Sequence, residues 1–236
     1  MARLSSAVED YLKGIYEIQQ ESGARLVGTA ALAEKLRVSR ASVTGMLKKL
    51  AAGPEHLIAY TRYHGARLTP RGEKAALEVV RHHRLLEAYL ATALGYSWDE
   101  VHREADHLEH VISEDFEDRI AALLGHPESD PHGAPIPQRD GSLPARREIR
   151  LTEMAVGQEG SISRVSDRDP ELLRYLDRLG LRPSRRLRVL DRGPFDGPLH
   201  VQSPASPSVI ALSRRITDDV YVVVQPLEEG VDQHAA

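Results

Sequence analysis

The apolar residues in the first third of the chain repeat with helical spacing and then give way to two short strand-like runs. The spacing predicts helices over residues 4–20, 29–36 and 39–50, the last with apolar positions at i, i+3, i+4 and i+7. The runs at 57–60 and 66–69 flank a polar turn and predict a hairpin. Short helices, a helix of recognition length and a basic hairpin together predict a winged helix-turn-helix.

Longer helical patterns follow the hairpin. Thr69-Pro70 combines a capping residue with proline at the first helical position, which predicts the start of a helix that runs to about residue 94. Two further helices are expected over residues 98–112 and 113–124. Residues 125–146 contain five prolines, which indicates a linker or an ordered loop.

The pattern changes again near residue 149, where short β runs alternate with Gly and Pro turns. These runs lie at 161–165, 187–190, 209–212 and 220–224, with one short helix over 170–179. Short strands of this kind predict a small β-barrel. The expected fold class is therefore mainly α with a C-terminal all-β domain.

Three domains are expected from these patterns. Residues 1–75 form the winged helix-turn-helix, residues 76–146 a helical domain, and residues 147–236 the small β-barrel with a C-terminal tail. The length of 236 residues suits two domains or three small ones.

Composition excludes several classes of protein. The absence of cysteine excludes disulfides and thiolate metal sites. No apolar run approaches the length of a membrane helix, and the N-terminus has charge where a secretory signal would be apolar. A cytoplasmic protein without a membrane partner is expected.

The uneven distribution of charge suggests a partner for each of the first two domains. Residues 1–75 carry 12 Lys and Arg against 7 Asp and Glu, a net charge of +5 that suits a polyanion such as nucleic acid. Residues 76–146 carry 6 against 14, a net charge of −8, and 7 of the 11 histidines, which suits divalent cations. Ordinary solvated surfaces are the alternative for both stretches.

The third predicted helix has the composition of a DNA-recognition helix. Small, hydrogen-bonding side chains at its start allow close approach to base edges, and later Lys and Arg side chains suit phosphates. No acidic residue lies between Lys35 and Leu50, although a winged helix that binds protein remains the alternative. The residues expected to contact DNA are Ser39, Arg40, Ala41, Ser42, Thr44, Lys48, Lys49, Arg62 and Arg67.

Acidic residues and histidines of the middle domain have the spacing of metal ligands. His102, Asp106, Glu109 and His110 fall in one arc beside an apolar stripe of the helix expected over 98–112. Asp106, Glu109 and His110 can converge on one ion, although a solvated acidic face would have the same pattern.

The preceding helix carries a polar pair within its apolar stripe. His83 and Glu87 are spaced i, i+4 and require buried partners, because an unpaired polar group in a core is costly. Metal ligation is one explanation of the pair. A His–Glu hydrogen bond without metal is the other.

These residues stand in stretches that resemble the diphtheria toxin repressor family of metal-dependent transcriptional regulators, especially its manganese-responsive members. The resemblance extends over all three predicted domains, to about residue 226, and includes a C-terminal FeoA-like domain. The stretches that carry it are Val8–Glu17, Val38–Val43, Leu68–Gly72, Arg81–Glu87, Ala105–Val111 and Asp130–Gly133.

The resemblance implies a primary metal site formed by two domains. Its ligands would be Asp10 from the first helix with Asp106, Glu109 and His110. Hard carboxylates and one imidazole suit Mn²⁺, with Fe²⁺ as the alternative, and Zn²⁺, Co²⁺ and Ni²⁺ are expected to bind in vitro. Lys13 stands where relatives with a binuclear site carry Glu, and an ammonium cannot ligate a metal ion.

The resemblance also implies a second metal site, for which it offers two ligand sets. One set uses His83 and Glu87 with His102, as in iron-responsive members. The favoured set takes its ligands from three segments of the chain and consists of Glu87, Asp130, His132 and Asp167. His83 would lie nearby.

The function implied is that of a metal-dependent repressor of metal-ion homeostasis, active as a homodimer on a palindromic operator in double-stranded DNA. No enzymatic activity is expected. A winged-helix regulator that senses an organic ligand is the first alternative, and it leaves the acid–histidine spacing unexplained. A manganese-dependent hydrolase is the second, and the chain lacks the His-Glu-x-x-His motif and a nucleophile elbow.

Overall fold

A computed structural model describes residues 4–204 and 207–225, which fall into two structural units. Of the described residues, the first unit comprises residues 4–89, 103–128 and 136–143, and the second comprises residues 90–102, 129–135, 144–204 and 207–225. The C-terminal tail expected beyond residue 225 lies outside the described residues.

The first unit begins with three helices and a hairpin in the predicted order. Buried apolar residues such as Leu12, Ile15, Leu32 and Leu47 lie on the inner faces of the helices, as their spacing predicts. The elements are α1 (Ser6–Ser22), α2 (Thr29–Lys35), α3 (Arg40–Ala52), β1 (Ile58–Thr61) and β2 (Gly65–Leu68).

The ends of these elements follow from local chemistry. The Ser39 side chain caps α3 by accepting a hydrogen bond from the Ser42 N–H. Strands β1 and β2 pair antiparallel, and Val27 extends the hairpin through an isolated bridge to Ala66. Gly65 is required there because its φ is +119° and a Cβ would lie 2.4 Å from the Val27 carbonyl oxygen.

The middle helices are α4 (Pro70–Leu94), α5 (Val101–Leu108) and α6 (Glu114–Leu123). The helix predicted over 98–112 is therefore shorter at both ends. It stops before Glu109 because Ser113 already caps α6 through the Phe116 N–H, which leaves only a tight turn between the two helices. Glu109 and His110 thus lie in the turn after α5, whereas the sequence placed them on the helix.

The second unit contains a six-stranded antiparallel sheet and two short helices. The strands are β3 (Ile149–Arg150), β4 (Glu159–Val165), β5 (Arg186–Arg192), β6 (Leu199–Gln202), β7 (Val209–Leu212) and β8 (Val220–Val224), and the helices are α7 (Pro170–Arg178) and α8 (Arg214–Thr217). The strand order in the sheet is β3-β8-β4-β5-β6-β7. The core is formed by buried apolar residues of the strands and of α7.

Strands β3 and β6 and helix α8 were not predicted. Each is four residues or fewer, and neither of the two strands contains a run of β-branched residues like those of β7 and β8. Among the described residues, no helix is long and apolar enough to cross a membrane.

Candidate metal centre and DNA-binding face

The residues predicted to contact DNA lie on the outer surface of α3 and on the hairpin. Lys48, Lys49, Arg62 and Arg67 are exposed, and the α3 residues at the helix start are exposed or, for Thr44, half-buried. Short contacts organise the helix start: the hydroxyls of Ser39 and Ser42 lie 2.9 Å apart, and Thr44 donates to the Arg40 carbonyl.

The tip of the hairpin carries an exposed aromatic residue that sequence reasoning did not select. Tyr63 is 87% exposed, and the Arg62 guanidinium lies over its ring at 4.7 Å. In such a cation–π contact the face of the aromatic ring attracts the guanidinium. No periodic signal marks Tyr63 because it lies in the turn between the strands.

His110 joins the first helix to the turn after α5. Its Nε2 atom lies 2.8 Å from Asp10 Oδ1 and 3.5 Å from Glu109 Oε1, and its Nδ1 atom lies 2.7 Å from Glu9 Oε2. Ligand atoms of Asp10, Glu109 and His110 all lie within 4.8 Å of one another. We call these three residues the open corner.

A second group shares Glu109 with the open corner. His83, Asp106 and Glu109 also have ligand atoms within 4.8 Å of one another. The Lys13 ammonium reaches all three: Nζ lies 2.7 Å from Glu109 Oε2, 3.0 Å from Asp106 Oδ1 and 2.9 Å from His83 Nδ1. We call these four residues the lysine corner.

Attraction between the Lys13 ammonium and the surrounding carboxylates holds the lysine corner together in a largely buried environment. Burial alone would lower the pKa of Lys13, but the charges of Glu109, Glu17 and Asp106 outweigh it and raise that pKa above its usual range. Lys13 therefore remains an ammonium. Asp106 is the most exposed member, with about half of its side chain open to solvent.

His83 connects the lysine corner to the polar pair predicted on α4. Its Nδ1 atom lies 2.5 Å from Glu109 Oε2, and its Nε2 atom lies 3.0 Å from Glu87 Oε1. Burial and the Lys13 charge oppose a charged imidazole, but Glu87 and Glu109 prevail and raise the pKa of His83. The His–Glu hydrogen bond that the sequence left as an alternative is thus present in the structure.

The open corner fits a hard divalent cation. Two carboxylates supply negative oxygen ligands and one imidazole supplies nitrogen, a donor set that suits Mn²⁺ or Fe²⁺. The second nitrogen of His110 faces Glu9, and such an outer carboxylate commonly orients a metal-binding histidine. Glu9 was missed by sequence reasoning because neighbouring helix residues do not share a face.

The residues expected at the second metal site are divided between the two units, with His83 and Glu87 in the first unit and the others in the second. Within the second unit, His102 Nδ1 lies 3.5 Å from Asp167 Oδ2. The two predicted ligand sets of this site stay predictions.

Asp130 and His132 form a turn within the second unit. Asp130 Oδ1 accepts hydrogen bonds from the N–H groups of His132 and Ala134, which closes the turn. His132 is buried, stacks on Trp98 with ring centroids 5.9 Å apart, and its Nε2 lies 2.6 Å from the Trp98 carbonyl oxygen. Both residues therefore have a structural role in the turn.

The exposed helix α3 and the basic hairpin are typical of a DNA-binding regulator. The open corner beside α1 is a candidate metal centre of that regulator. Residues 3–66 match the family model of the iron dependent repressor N-terminal DNA binding domain. Residues 69–138 match the iron dependent repressor metal binding and dimerisation domain, and residues 149–224 match the FeoA domain.

Known proteins of similar sequence and structure are also metal-dependent repressors. The iron-dependent repressor IdeR of Mycobacterium leprae is 33% identical over 202 residues, which is 80% of this chain and 86% of that protein. A manganese-dependent transcriptional repressor solved with manganese is 39% identical, with a TM-score of 0.86 over 92% of this chain and 100% of that chain. ScaR with bound Cd²⁺ is 34% identical, with a TM-score of 0.76 over 92% of this chain and 98% of that chain.

The chain therefore belongs to the diphtheria toxin repressor family of metal-dependent, DNA-binding transcriptional repressors. The resemblance seen in the sequence is confirmed, as are the fold class and the FeoA-like domain. The family consists of repressors and not of enzymes, so the hydrolase alternative and the organic-ligand alternative both fall away.

Proposed function

We propose that this repressor is a manganese-activated switch in which one divalent ion at the open corner prepares a homodimer to bind a palindromic operator. The observation that carries the proposal is the contact of His110 Nε2 with Asp10 Oδ1 at 2.8 Å, which joins α1 to the turn after α5. Fe²⁺ is the alternative ion, because the same donor set suits it.

Asp10, Glu109 and His110 would hold the ion, with Asp106 as the fourth ligand. Asp106 lies three residues before Glu109, and its carboxylate is half exposed. When bound, a divalent cation supplies the positive charge that offsets repulsion among these carboxylates. The side chains themselves link α1 to the turn after α5, so their convergence restrains the first helix of the DNA-binding segment.

That restraint matters because α1 and the recognition helix α3 contribute side chains to one buried core. Leu12 and Ile15 of α1 lie in the same buried cluster as Val43 and Leu47 of α3. In a homodimer, the positions of the two α3 helices must match the spacing of two half-sites. We infer that fixing α1 in each protomer favours the spacing that the operator requires.

The DNA contacts of the proposal follow the exposed residues of α3 and the wing. Ser39, Arg40, Ala41, Ser42 and Thr44 would face base edges, where short side chains allow the helix to approach. The two lysines and two arginines further along would contact phosphates.

The domain boundaries belong to the same proposal. Residues 1–75 would bind DNA, residues 76–146 would bind metal and dimerise, and residues 147–236 would form the FeoA-like domain. The repressor would act in the cytoplasm on promoters of metal-homeostasis genes, the role that the resemblance implies.

Operator binding by fluorescence anisotropy tests this function. Duplexes selected from a random pool with Mn²⁺ present would be titrated with metal-free protein, with Mn²⁺, with Zn²⁺ and, without oxygen, with Fe²⁺. We expect Mn²⁺ to tighten binding by roughly 5–150-fold, the usual range of coupling between two sites. Selected duplexes should contain inverted half-sites. Equal binding with and without every metal would contradict the proposal.

A further inference from the structure

A group of acid and histidine side chains on α4 and α6 belongs to neither corner of the metal centre. Ligand atoms of Glu78, His82 and Glu114 all lie within 4.8 Å of one another, and these residues share no side chain with the open corner or the lysine corner. Sequence reasoning did not select any of them. We call these three residues the α4–α6 cluster.

Two regular helices hold the α4–α6 cluster. Glu78 and His82 are four residues apart on α4, so their side chains lie on the same face of that helix. Glu114 is the first residue of α6, and its backbone position is fixed because the Ser113 side chain caps that helix. Side chains on helices are placed more precisely than side chains on loops, which favours the binding of a ligand.

His82 is the buried member of the cluster, with 9% of its surface exposed, and its two ring nitrogens have different surroundings. Its Nδ1 atom lies 3.2 Å from the carbonyl oxygen of Glu109. A carbonyl oxygen can only accept, so Nδ1 carries the hydrogen of the neutral imidazole and Nε2 carries the lone pair. Metal-binding histidines are commonly oriented in this way, through a backbone carbonyl at the nitrogen that does not bind the ion.

The Nε2 atom of His82 is buried without a hydrogen bond. It lies 3.0 Å from Glu117 Oε2 and 3.6 Å from Glu114 Oε1, but no group among the described residues meets it in hydrogen-bond geometry. A buried polar atom without a hydrogen bond is uncommon and is one sign of a bound ion or water molecule. Because the neighbours of Nε2 are carboxylates, they favour a cation.

The charge of Glu78 points to the same kind of ligand. Burial and the negative charge of Glu114 raise the pKa of Glu78 against the opposing effect of His82. The two carboxylates of the cluster therefore repel each other. A cation bound between them would relieve that repulsion.

Two arginines lie beside the cluster but are engaged by other carboxylates. Arg81 pairs with Glu117. Arg139 Nη2 lies 2.6 Å from Asp118 Oδ1 and 3.6 Å from Glu114 Oε2, so its closer partner is Asp118. The Oε1 atom of Glu114, which faces His82, is not the oxygen that Arg139 approaches.

We propose that Glu78, His82 and Glu114 bind a divalent transition-metal ion at a site separate from the open corner. Two carboxylates and one imidazole suit both Mn²⁺ and Zn²⁺, and such nitrogen and oxygen ligands bind Zn²⁺ more tightly. Glu78 and Glu114 are exposed, so water can supply the remaining ligands. The inference does not depend on the proposed function, because the cluster contains none of the open-corner ligands.

The test counts the Zn²⁺ bound per chain by wild type and by the double variant Glu78→Gln/Glu114→Gln. Equilibrium dialysis at micromolar free Zn²⁺, above neutral pH so that protons do not compete for His82, is followed by elemental analysis. Both substitutions lie at exposed positions and keep the side-chain shape, so we expect a folded variant that binds one equivalent less than wild type. Equal zinc content, or a difference only at millimolar Zn²⁺, would overturn the inference.

A matched double variant shows whether the loss is specific to the cluster. Glu73→Gln/Asp115→Asn also removes one exposed carboxylate from α4 and one from α6, but neither residue belongs to the cluster. This variant should keep the zinc content of wild type. The same loss of zinc in both double variants would contradict a built site, because it would show binding to acidic surface in general.

Asp10→Ala separates this inference from the proposed function. In an Asp10→Ala background, Glu78→Gln/Glu114→Gln should still remove one equivalent of Zn²⁺, because the cluster does not use Asp10. No further loss in that background would overturn the inference. Mn²⁺ binding that Asp10→Ala leaves intact would instead contradict the proposed function, whatever the cluster variants do.

Discussion

The open corner and the lysine corner use the same kinds of side chain and share Glu109, yet they differ in their source of positive charge. At the lysine corner the chain supplies an ammonium that is held within 3.0 Å of three side chains. At the open corner, His110 Nε2 lies 2.8 Å from Asp10 Oδ1 and 3.5 Å from Glu109 Oε1, and the ammonium of Lys13 belongs to the neighbouring corner. A charge carried by the chain gives a constant contact, whereas a charge taken from solution makes the contact depend on metal concentration. The lysine corner is therefore a structural element of the cluster, whereas the open corner is its proposed metal sensor.

The largest effect is expected from removing the built-in charge. Lys13→Met removes the ammonium that contacts Glu109 and Asp106, and removal of one partner of a buried ion pair costs about 3 kcal/mol. Urea unfolding in EDTA measures this loss. Lys35→Met, whose ion pair with Glu17 is more exposed, should lose about 1 kcal/mol or less. Similar losses for the two variants would contradict the special role of Lys13.

Changing the open corner should affect metal binding more than stability. Asp10→Asn removes a carboxylate ligand whose side chain is half exposed, so we expect the metal-free protein to keep nearly its full stability. Its Mn²⁺ affinity should fall about 100-fold, the upper end of the losses measured even for outer partners of metal ligands. Calorimetric titration with Mn²⁺ checks this. Glu34→Gln, an exposed carboxylate on α2, is the matched control and should bind Mn²⁺ as wild type does.

The outer partner of His110 provides a finer test of the open corner. Glu9→Gln keeps the shape of the side chain but removes the charge that faces His110 Nδ1 at 2.7 Å. We expect Mn²⁺ affinity to fall about 10-fold, because an outer carboxylate orients the imidazole and raises its basicity. An affinity equal to wild type in the same titration would show that Glu9 has no such role.

An acid–histidine contact outside both corners, between His82 and Glu117, has the smallest expected effect. Burial opposes the charge on His82, but the Glu117 carboxylate, whose Oε2 lies 3.0 Å from His82 Nε2, outweighs it and raises the pKa of His82. The contact therefore contributes its full stabilisation below about pH 6.5. This contribution is lost as the pH rises through the raised pKa of His82. His82→Gln should remove that decrease, which is on the order of 1 kcal/mol. Thermal melts of metal-free protein from pH 6 to 9 measure it, and an identical slope in both proteins would refute the assignment.

Sequence periodicity was sufficient for most of the fold. The stripes of α1 and α3 and the Thr69-Pro70 signal before α4 predicted elements that the structure contains. The end of α5 was wrong because the capping of α6 by Ser113 interrupts an apolar pattern that continues to Ile112. Strand β6 was missed because its four residues form a strand only between β5 and β7.

The residue types of the candidate metal centre could be predicted from the sequence. Their arrangement could be predicted only in part. Asp10, Glu109 and His110 were named from the resemblance, and the structure brings them together. The resemblance also predicted that Lys13 is not a ligand. Its contacts with Asp106 and Glu109 span 93 and 96 residues, and no local pattern reports a contact at that separation.

The central claim is that metal at the open corner and DNA at α3 are coupled, and reciprocity tests it most directly. Coupling requires that operator DNA tighten Mn²⁺ binding by the same factor by which Mn²⁺ tightens operator binding. Mn²⁺ would be titrated into wild type and Asp10→Asn, each with and without a saturating selected duplex. The account predicts equal factors of roughly 5–150-fold in wild type and none in Asp10→Asn. A Mn²⁺ affinity that DNA leaves unchanged in wild type would contradict the account.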